Sequence, residues 1–79
     1  MRARMIVTLR SGVLDPAGVA VHESLSQLGF NAVQGVRLGK VVDIELDDMS
    51  ADEAKRQLQA MGEKLLANMV IEDFTVELA

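Results

Sequence analysis

The chain has 79 residues, a net charge of −4, 49% hydrophobic residues and 25% charged residues. A domain of this size buries only roughly 60% of the surface of its unfolded chain, so the core is thin and oligomerisation is a common source of added stability. The lack of cysteine excludes disulfides and thiolate chemistry, a single histidine argues against a histidine zinc site, and the acidic, aromatic-poor composition argues against a nucleic-acid partner.

The N-terminal sequence lacks the long apolar region and the small-residue cleavage site of a secretory signal, and no apolar run approaches the ~20 residues of a membrane span. We therefore expect a cytoplasmic protein that does not contact a membrane.

Alternating apolar residues over 4–10 predict a first strand. The following stretch, residues 13–30, carries the signals of a helix: Asp15 can cap it, Pro16 suits its first position and Gly29 can end it. Its predicted buried stripe consists of Val21, Leu25 and Leu28.

Two strand-like runs follow, residues 32–38 and 41–47, separated by Gly39 and Lys40. The two-residue spacing predicts a tight hairpin in which glycine takes a positive φ. One long bent strand is the alternative interpretation.

Residues 49–68 predict a second helix, in which Ser50 and Glu53 form a capping box and Asn68 is a left-handed stop. Gly62 inside it indicates either close approach by another element or a tolerated defect. The predicted apolar stripe consists of Ala54, Leu58, Met61 and Leu65. A last strand over 70–78 places Phe74, Val76 and Leu78 on one face.

The element order β-α-β-β-α-β predicts one α+β domain over residues 1–79, a ferredoxin-like antiparallel sheet with both helices on one face. Directly opposed hairpin residues share a face, which places Val33, Val42, Ile44 and Leu46 against the helices. The far face then carries an uncovered apolar patch of Ile6, Val36, Leu38 and Val41. Such a patch predicts self-association through the sheet.

The stretch GVRLGK, residues 35–40, resembles a phosphate-binding loop only superficially. A Walker loop needs four residues between its glycine and the Gly-Lys pair, then Ser or Thr and a helix. Here three residues intervene, Val41 follows, and a strand comes next. The simplest alternative to phosphate binding is that Arg37 and Lys40 are solvated cations that pair with Asp43 or Glu45.

No catalytic, cofactor-binding or metal-binding residues are predicted. His22 has no second titrating group on its helix face. Alternation spreads the acidic residues after residue 42 over a strand face and its loop, without calcium-loop spacing. These acidic residues are Asp43, Glu45, Asp47 and Asp48.

Three stretches in register, VLDPAG (13–18), LGFNAVQGVRLGK (28–40) and KLLANMVIEDF (64–74), closely resemble the PurS family, the small subunit of phosphoribosylformylglycinamidine synthase. The resemblance implies an enzyme complex of purine biosynthesis that converts formylglycinamide ribonucleotide to the amidine. It also implies two partners, a large synthetase subunit that uses ATP and magnesium and a glutaminase subunit that releases ammonia from glutamine. This chain would dimerise or form a tetramer and bridge them for ammonia transfer, without cofactors of its own.

The resemblance also implies partner-contact residues. Arg37, Gly39 and Lys40 match the family's GVRxGK stretch. Asn68 and Glu72 match its LAN-x-VIE stretch, in which Met69 stands where the family has a proline. A purely structural role of the GVRLGK stretch stays open. The alternative function is a ferredoxin-like regulatory module that binds a small effector at a dimer interface.

Overall fold

The computed structural model describes residues 1–79 and contains three antiparallel strands and two α-helices. The elements are β1 (Arg2–Leu9), α1 (Pro16–Gln27), β2 (Gly39–Glu45), α2 (Ala51–Met61) and β3 (Glu72–Leu78). A π-helix, Gly62–Leu66, continues α2 directly. The strand order is β2-β1-β3, with β1 in the centre. The α+β, ferredoxin-like class is confirmed, with three strands in place of the four expected.

The core lies between the inner face of the sheet and α2. Alternate residues of β1, Met5 and Val7, are fully buried, as is Leu58 of α2. Val42 and Ile44 of β2 pack against the cluster of Met5, Val7 and Ala67, as predicted, together with Phe74 and Val76 of β3. Only nine residues are buried in all, so the core is as thin as the chain length predicts.

Residues 32–38 form no strand, so both the predicted hairpin and the long bent strand are wrong. Gly39 begins β2 and pairs with Thr8 of β1. It has no positive φ; a Cβ there would lie 2.6 Å from the Val7 carbonyl oxygen. Glycine is therefore needed for the close approach of two backbones. Because β1 ends at Leu9, no strand of this chain extends far enough to pair with residues before Gly39.

Helix α1 lies apart from the sheet, so the prediction that both helices cover one face holds only for α2. α2 packs against β3, whereas α1 hardly touches the strands. The predicted stripe of α1 is largely uncovered: Gly18 is its only buried residue, and Leu28 just beyond it is 73% exposed. The predicted ends of α1 are confirmed, since Asp15 caps it and Gly29 has a φ of 99°.

Residues 33–38 run antiparallel along α1. His22 donates through Nε2 to the Val33 carbonyl at 2.9 Å. Further along, the Val36 carbonyl oxygen lies where a Cβ of residue 18 would stand, so the absent side chain of Gly18 permits the contact. We call α1 and the chain from Leu28 to Leu38 the helical arm.

The helical arm makes the molecule elongated, with extents of 48 × 25 × 14 Å. The radius of gyration is 15.9 Å, against about 12 Å for a compact chain of this length. The accessible surface is 5668 Å², against about 4,700 Å² for a typical folded monomer of this mass. The protomer therefore exposes about 1,000 Å² more than a compact protein of its size.

The π-helix shifts the predicted apolar stripe of the second helix. The Ala67 N–H donates to the Gly62 carbonyl at 3.0 Å, a bond that spans five residues and rotates the side chains that follow. Leu65 is consequently 82% exposed, while Ala67 is buried. The Phe74 ring packs on Gly62, which confirms close approach. The left-handed stop predicted at Asn68 is wrong, since only glycines have positive φ.

Candidate functional site

The buried carboxylate of Asp15 joins the start of α1 to the GVRLGK stretch. It accepts from the Gly18 N–H at 2.9 Å and from the Leu38 N–H at 2.8 Å. The hydrogen bond from Leu38, followed by that from Gly18, lowers the pKa of Asp15 below its usual value. The sequence indicated the first bond as a helix cap; the second joins residues far apart in the chain and left no sequence signal.

Arg37 ties the same stretch to the turn after β1. Its guanidinium donates from Nη1 to the Val13 carbonyl at 2.8 Å and from Nη2 to the Arg10 carbonyl at 3.0 Å. Of the predicted partner-contact residues, Arg37 is thus engaged within its own chain and Gly39 lies against β1. The ammonium group of Lys40 takes part in none of the ion pairs.

The outer face of the sheet carries charge pairs between neighbouring strands. Arg4 of β1 donates from Nε to Asp43 of β2 at 2.9 Å, and Arg2 lies 3.4 Å from Glu45. The prediction that Asp43 or Glu45 pairs with Arg37 or Lys40 is therefore wrong. The hydrogen bond between Arg4 and Asp43 lowers the pKa of Asp43 and raises that of Arg4.

Only part of the predicted far-face apolar patch lies on that face. Ile6 and Val41 are paired there across β1 and β2, and Val41 is exposed. Leu38 lies instead on the helix side, where it lines a shallow depression of about 270 Å³ with Leu9 and Lys40. Val36 belongs to the helical arm and not to the sheet. The far-face placement of Leu38 and Val36 was wrong because it depended on the hairpin register.

Asn68 and Glu72 close the turn between the π-helix and β3. The Asn68 N–H donates to Glu72 Oε1 at 2.7 Å, and the Asn68 side-chain oxygen accepts from the Val70 N–H at 3.1 Å. Leu65 and Val70, each 82% exposed, flank this turn. Leu65 was missed as a surface residue because a regular α-helical period places it in the core. The turn therefore exposes apolar side chains while its backbone is held by hydrogen bonds within the turn.

Most of the exposed large apolar residues lie in or beside the helical arm. They are Leu14, Val19, Val21, Leu28, Phe30 and Leu38. No group of three or more histidine, cysteine or acidic residues is placed to hold a metal ion. Neither helix is long and apolar enough to cross a membrane.

The fold and these surfaces define a thin ferredoxin-like α+β protein with apolar side chains exposed on a projecting arm and a turn, features typical of a subunit of a larger assembly. Residues 2–79 match the family model PurS, described as phosphoribosylformylglycinamidine (FGAM) synthase. The chain belongs to the PurS family, whose members are subunits of FGAM synthase in purine biosynthesis.

Relatives match over nearly the whole chain. The FGAM synthase subunit PurS of a Synechocystis strain is 47% identical, over 95% of this chain and 75% of the relative. The crystal structure of Methanocaldococcus jannaschii PurS is 37% identical with a TM-score of 0.86, covering 96% of this chain and 92% of that one. A chain of the Thermotoga maritima PurLQS structure is 30% identical with a TM-score of 0.85, covering 96% and 94%. These matches favour the function of an FGAM synthase subunit over that of a regulatory module that binds a small effector.

Proposed function

We propose that this chain is the noncatalytic small subunit that joins the glutaminase and synthetase subunits of FGAM synthase. In this role it helps ammonia, released from glutamine, to reach the synthetase, which uses ATP and magnesium to convert formylglycinamide ribonucleotide to the amidine. The complex works in the cytoplasm. The observation that carries the proposal is the full-length likeness to a chain of the PurLQS structure, at 30% identity and a TM-score of 0.85.

The proposal includes self-association as a dimer or tetramer. A standard interface buries about 800 Å² on each partner. The surplus of about 1,000 Å² over a compact monomer is large enough for one such interface. Ile6 and Val41 add an apolar pair on the outer face of the sheet, next to the ion pair of Arg4 and Asp43.

The partner-contact role falls chiefly on Lys40 and on the turn closed by Asn68 and Glu72. Lys40 is exposed and has no acidic partner within the chain, so its charge is available to another subunit. Arg37 and Gly39 support this role indirectly, since they hold the backbone next to Lys40 against the turn after β1 and against β1 itself.

Reconstitution with the glutaminase and synthetase subunits tests the proposal. The three chains are expected to co-purify in the presence of glutamine and ADP, and the glutamine-dependent reaction is expected to require this chain. Lys40→Ala should weaken assembly roughly two- to fivefold, the range for one exposed charge pair. Lys55→Ala is the matched control, an exposed lysine on α2 that also lacks an ion pair.

The reaction supplied with free ammonia separates transfer from chemistry. Lys40→Ala should lower the glutamine-dependent rate and leave the ammonia-dependent rate of the synthetase unchanged. Equal loss of both rates would contradict a role in ammonia transfer. Failure of the chains to co-purify under any of these conditions would contradict the bridging role.

A further inference from the structure

Arg10, the residue after β1, contacts two distant segments of the chain. Its backbone N–H donates to the Ile71 carbonyl at 2.8 Å. Its side chain donates from Nε to the Glu72 carbonyl at 3.2 Å and lies 3.3 Å from the Asp73 carboxylate. On the other side, its carbonyl oxygen accepts from Nη2 of Arg37 at 3.0 Å. These side-chain bonds join residues 62 and 27 positions apart, so no local pattern in the sequence indicates them.

Both segments belong to the partner-contact regions. Ile71 and Glu72 end the turn that begins at Asn68, and both of their N–H groups donate to the Asn68 carbonyl. Arg37 lies in the GVRLGK stretch, three positions before Lys40. Lys40 and Glu72 also line the same shallow depression. The two regions are therefore neighbours in the structure, and Arg10 is bonded to both of them.

The helical arm has few other attachments to the rest of the chain. Besides the bonds around Asp15, which caps α1 and accepts from Leu38, its hydrogen bonds to other segments come from the Arg37 guanidinium. α1 hardly touches the strands. The turn that Arg37 contacts contains Gly12, at a φ of 88° and with no atom within 4 Å of a Cβ position. The angle between arm and sheet therefore depends on a small number of bonds.

We propose that Arg10 is a positioning residue, which fixes the GVRLGK stretch and the turn from Asn68 to Glu72 relative to each other. A partner subunit then meets both regions as one surface. The inference rests on the proposed function and adds a residue to which the family resemblance does not point. Arg10 acts through Arg37 and the Glu72 carbonyl, without touching the partner itself. Such pre-organisation strengthens binding because the contact residues need not be ordered when the subunits meet.

Assembly of the reconstituted complex tests this coupling. Arg10→Ala should weaken assembly about 5- to 30-fold, within the range of coupling in one hydrogen-bonded network. The loss should exceed that of Lys40→Ala, because both regions lose their fixed positions. Since Lys40 is already displaced in the Arg10→Ala variant, the double variant should assemble at least about twofold better than the product of the two single effects predicts.

Two further variants separate positioning from a general loss of charge on β1. Arg10→Lys restores a cation that can donate to the Glu72 carbonyl and pair with Asp73, so it should recover most of the lost assembly. Arg4→Ala is the matched control, because Arg4 also forms one ion pair with a neighbouring strand, to Asp43. It lies about 20 Å from Arg10 along the strand and should leave the coupling unchanged.

A distance measurement on the isolated chain tests the positioning directly. The chain has no cysteine, so Glu23→Cys on α1 and Lys64→Cys beside the turn can carry two spin labels. In an excess of unlabelled protein, electron paramagnetic resonance should give one narrow distance distribution. Arg10→Ala should broaden this distribution and Arg4→Ala should not. If Arg10→Ala does not fold, Arg37→Ala breaks the same link from the exposed arm and should broaden it equally.

The outcomes distinguish this inference from the proposed function. A folded Arg10→Ala variant with normal assembly would overturn the positioning role, and so would strictly additive effects of Arg10→Ala and Lys40→Ala. Weaker assembly with unchanged label distances would overturn it as well, because Arg10 would then contact the partner directly. If the unsubstituted chains do not assemble, the proposed function is contradicted, whereas the label distances still decide whether Arg10 fixes the arm.

Discussion

The two glycines of the GVRLGK stretch should respond very differently to alanine. At Gly39 a Cβ would lie 2.6 Å from the Val7 carbonyl oxygen and 3.1 Å from the Thr8 Cγ2 atom. The carbonyl belongs to the central strand, which is paired on both sides and cannot easily withdraw. Forcing a methyl group into such a contact costs about 1–3 kcal/mol. A domain of this size has only about 3–5 kcal/mol of net stability, so the loss is a large fraction of the total.

Thermal and urea unfolding followed by circular dichroism measure this difference. At about 4–8 °C per kcal/mol, Gly39→Ala should lower the melting temperature by roughly 5–20 °C. Gly35→Ala meets no neighbouring atom and needs no positive φ, so it should be neutral or stabilise by up to ~1 kcal/mol through the unfolded chain. Both variants are to be measured at the same protein concentration, because self-association contributes to apparent stability. Equal melting temperatures for the two would refute the close backbone approach at Gly39.

Two further predictions concern the helices. Asp15→Asn should lower the free energy of unfolding at neutral pH, because the carboxylate that accepts from Leu38 and Gly18 is lost. The difference from the wild type should shrink as the pH falls below about 3.9, the pKa of an unfolded Asp, and through the lowered pKa of the folded Asp15, where the wild type loses the same charge. A deficit that does not change with pH in urea titrations would contradict this. Leu58→Ala should cost about 2–5 kcal/mol, whereas Leu65→Ala should stay within about 0.5 kcal/mol, since Leu58 is fully buried and Leu65 is 82% exposed. Comparable losses in urea unfolding would show that the π-helix does not turn Leu65 outward.

Signals that act within a short stretch of the chain were sufficient to predict several helix ends and one strand. Asp15 and Pro16 at the start of α1, Gly29 at its end and Ser50 before α2 act within one turn of the chain, so each was predicted and is confirmed. The alternation of β1 was likewise predicted, with Ile6 on the far face, and the structure buries its neighbours Met5 and Val7 on the other face. The family resemblance, carried by stretches spread over the whole chain, was confirmed by the match over residues 2–79.

Features that depend on distant neighbours were not predictable in the same way. A strand pattern at 33–38 cannot say whether a partner strand is present, and here β1 ends before it could pair with this segment. The prediction that Leu38 lies on the far face depended on the predicted hairpin, and both predictions are wrong. Likewise, the outward turn of Leu65 depends on the five-residue hydrogen bond from Ala67 to Gly62, beside the Phe74 ring.

The sequence by itself determined where the helices begin, which face of β1 is buried, and to which family the chain belongs, because these depend on near neighbours or on the whole pattern of residues. Only the tertiary structure decided that α1 leaves the sheet, that the Arg37 side chain is bonded within its own chain and that the Lys40 ammonium group forms no ion pair there. Such contacts join residues more than twenty positions apart, and their formation depends on which backbones and side chains the packed core leaves within reach.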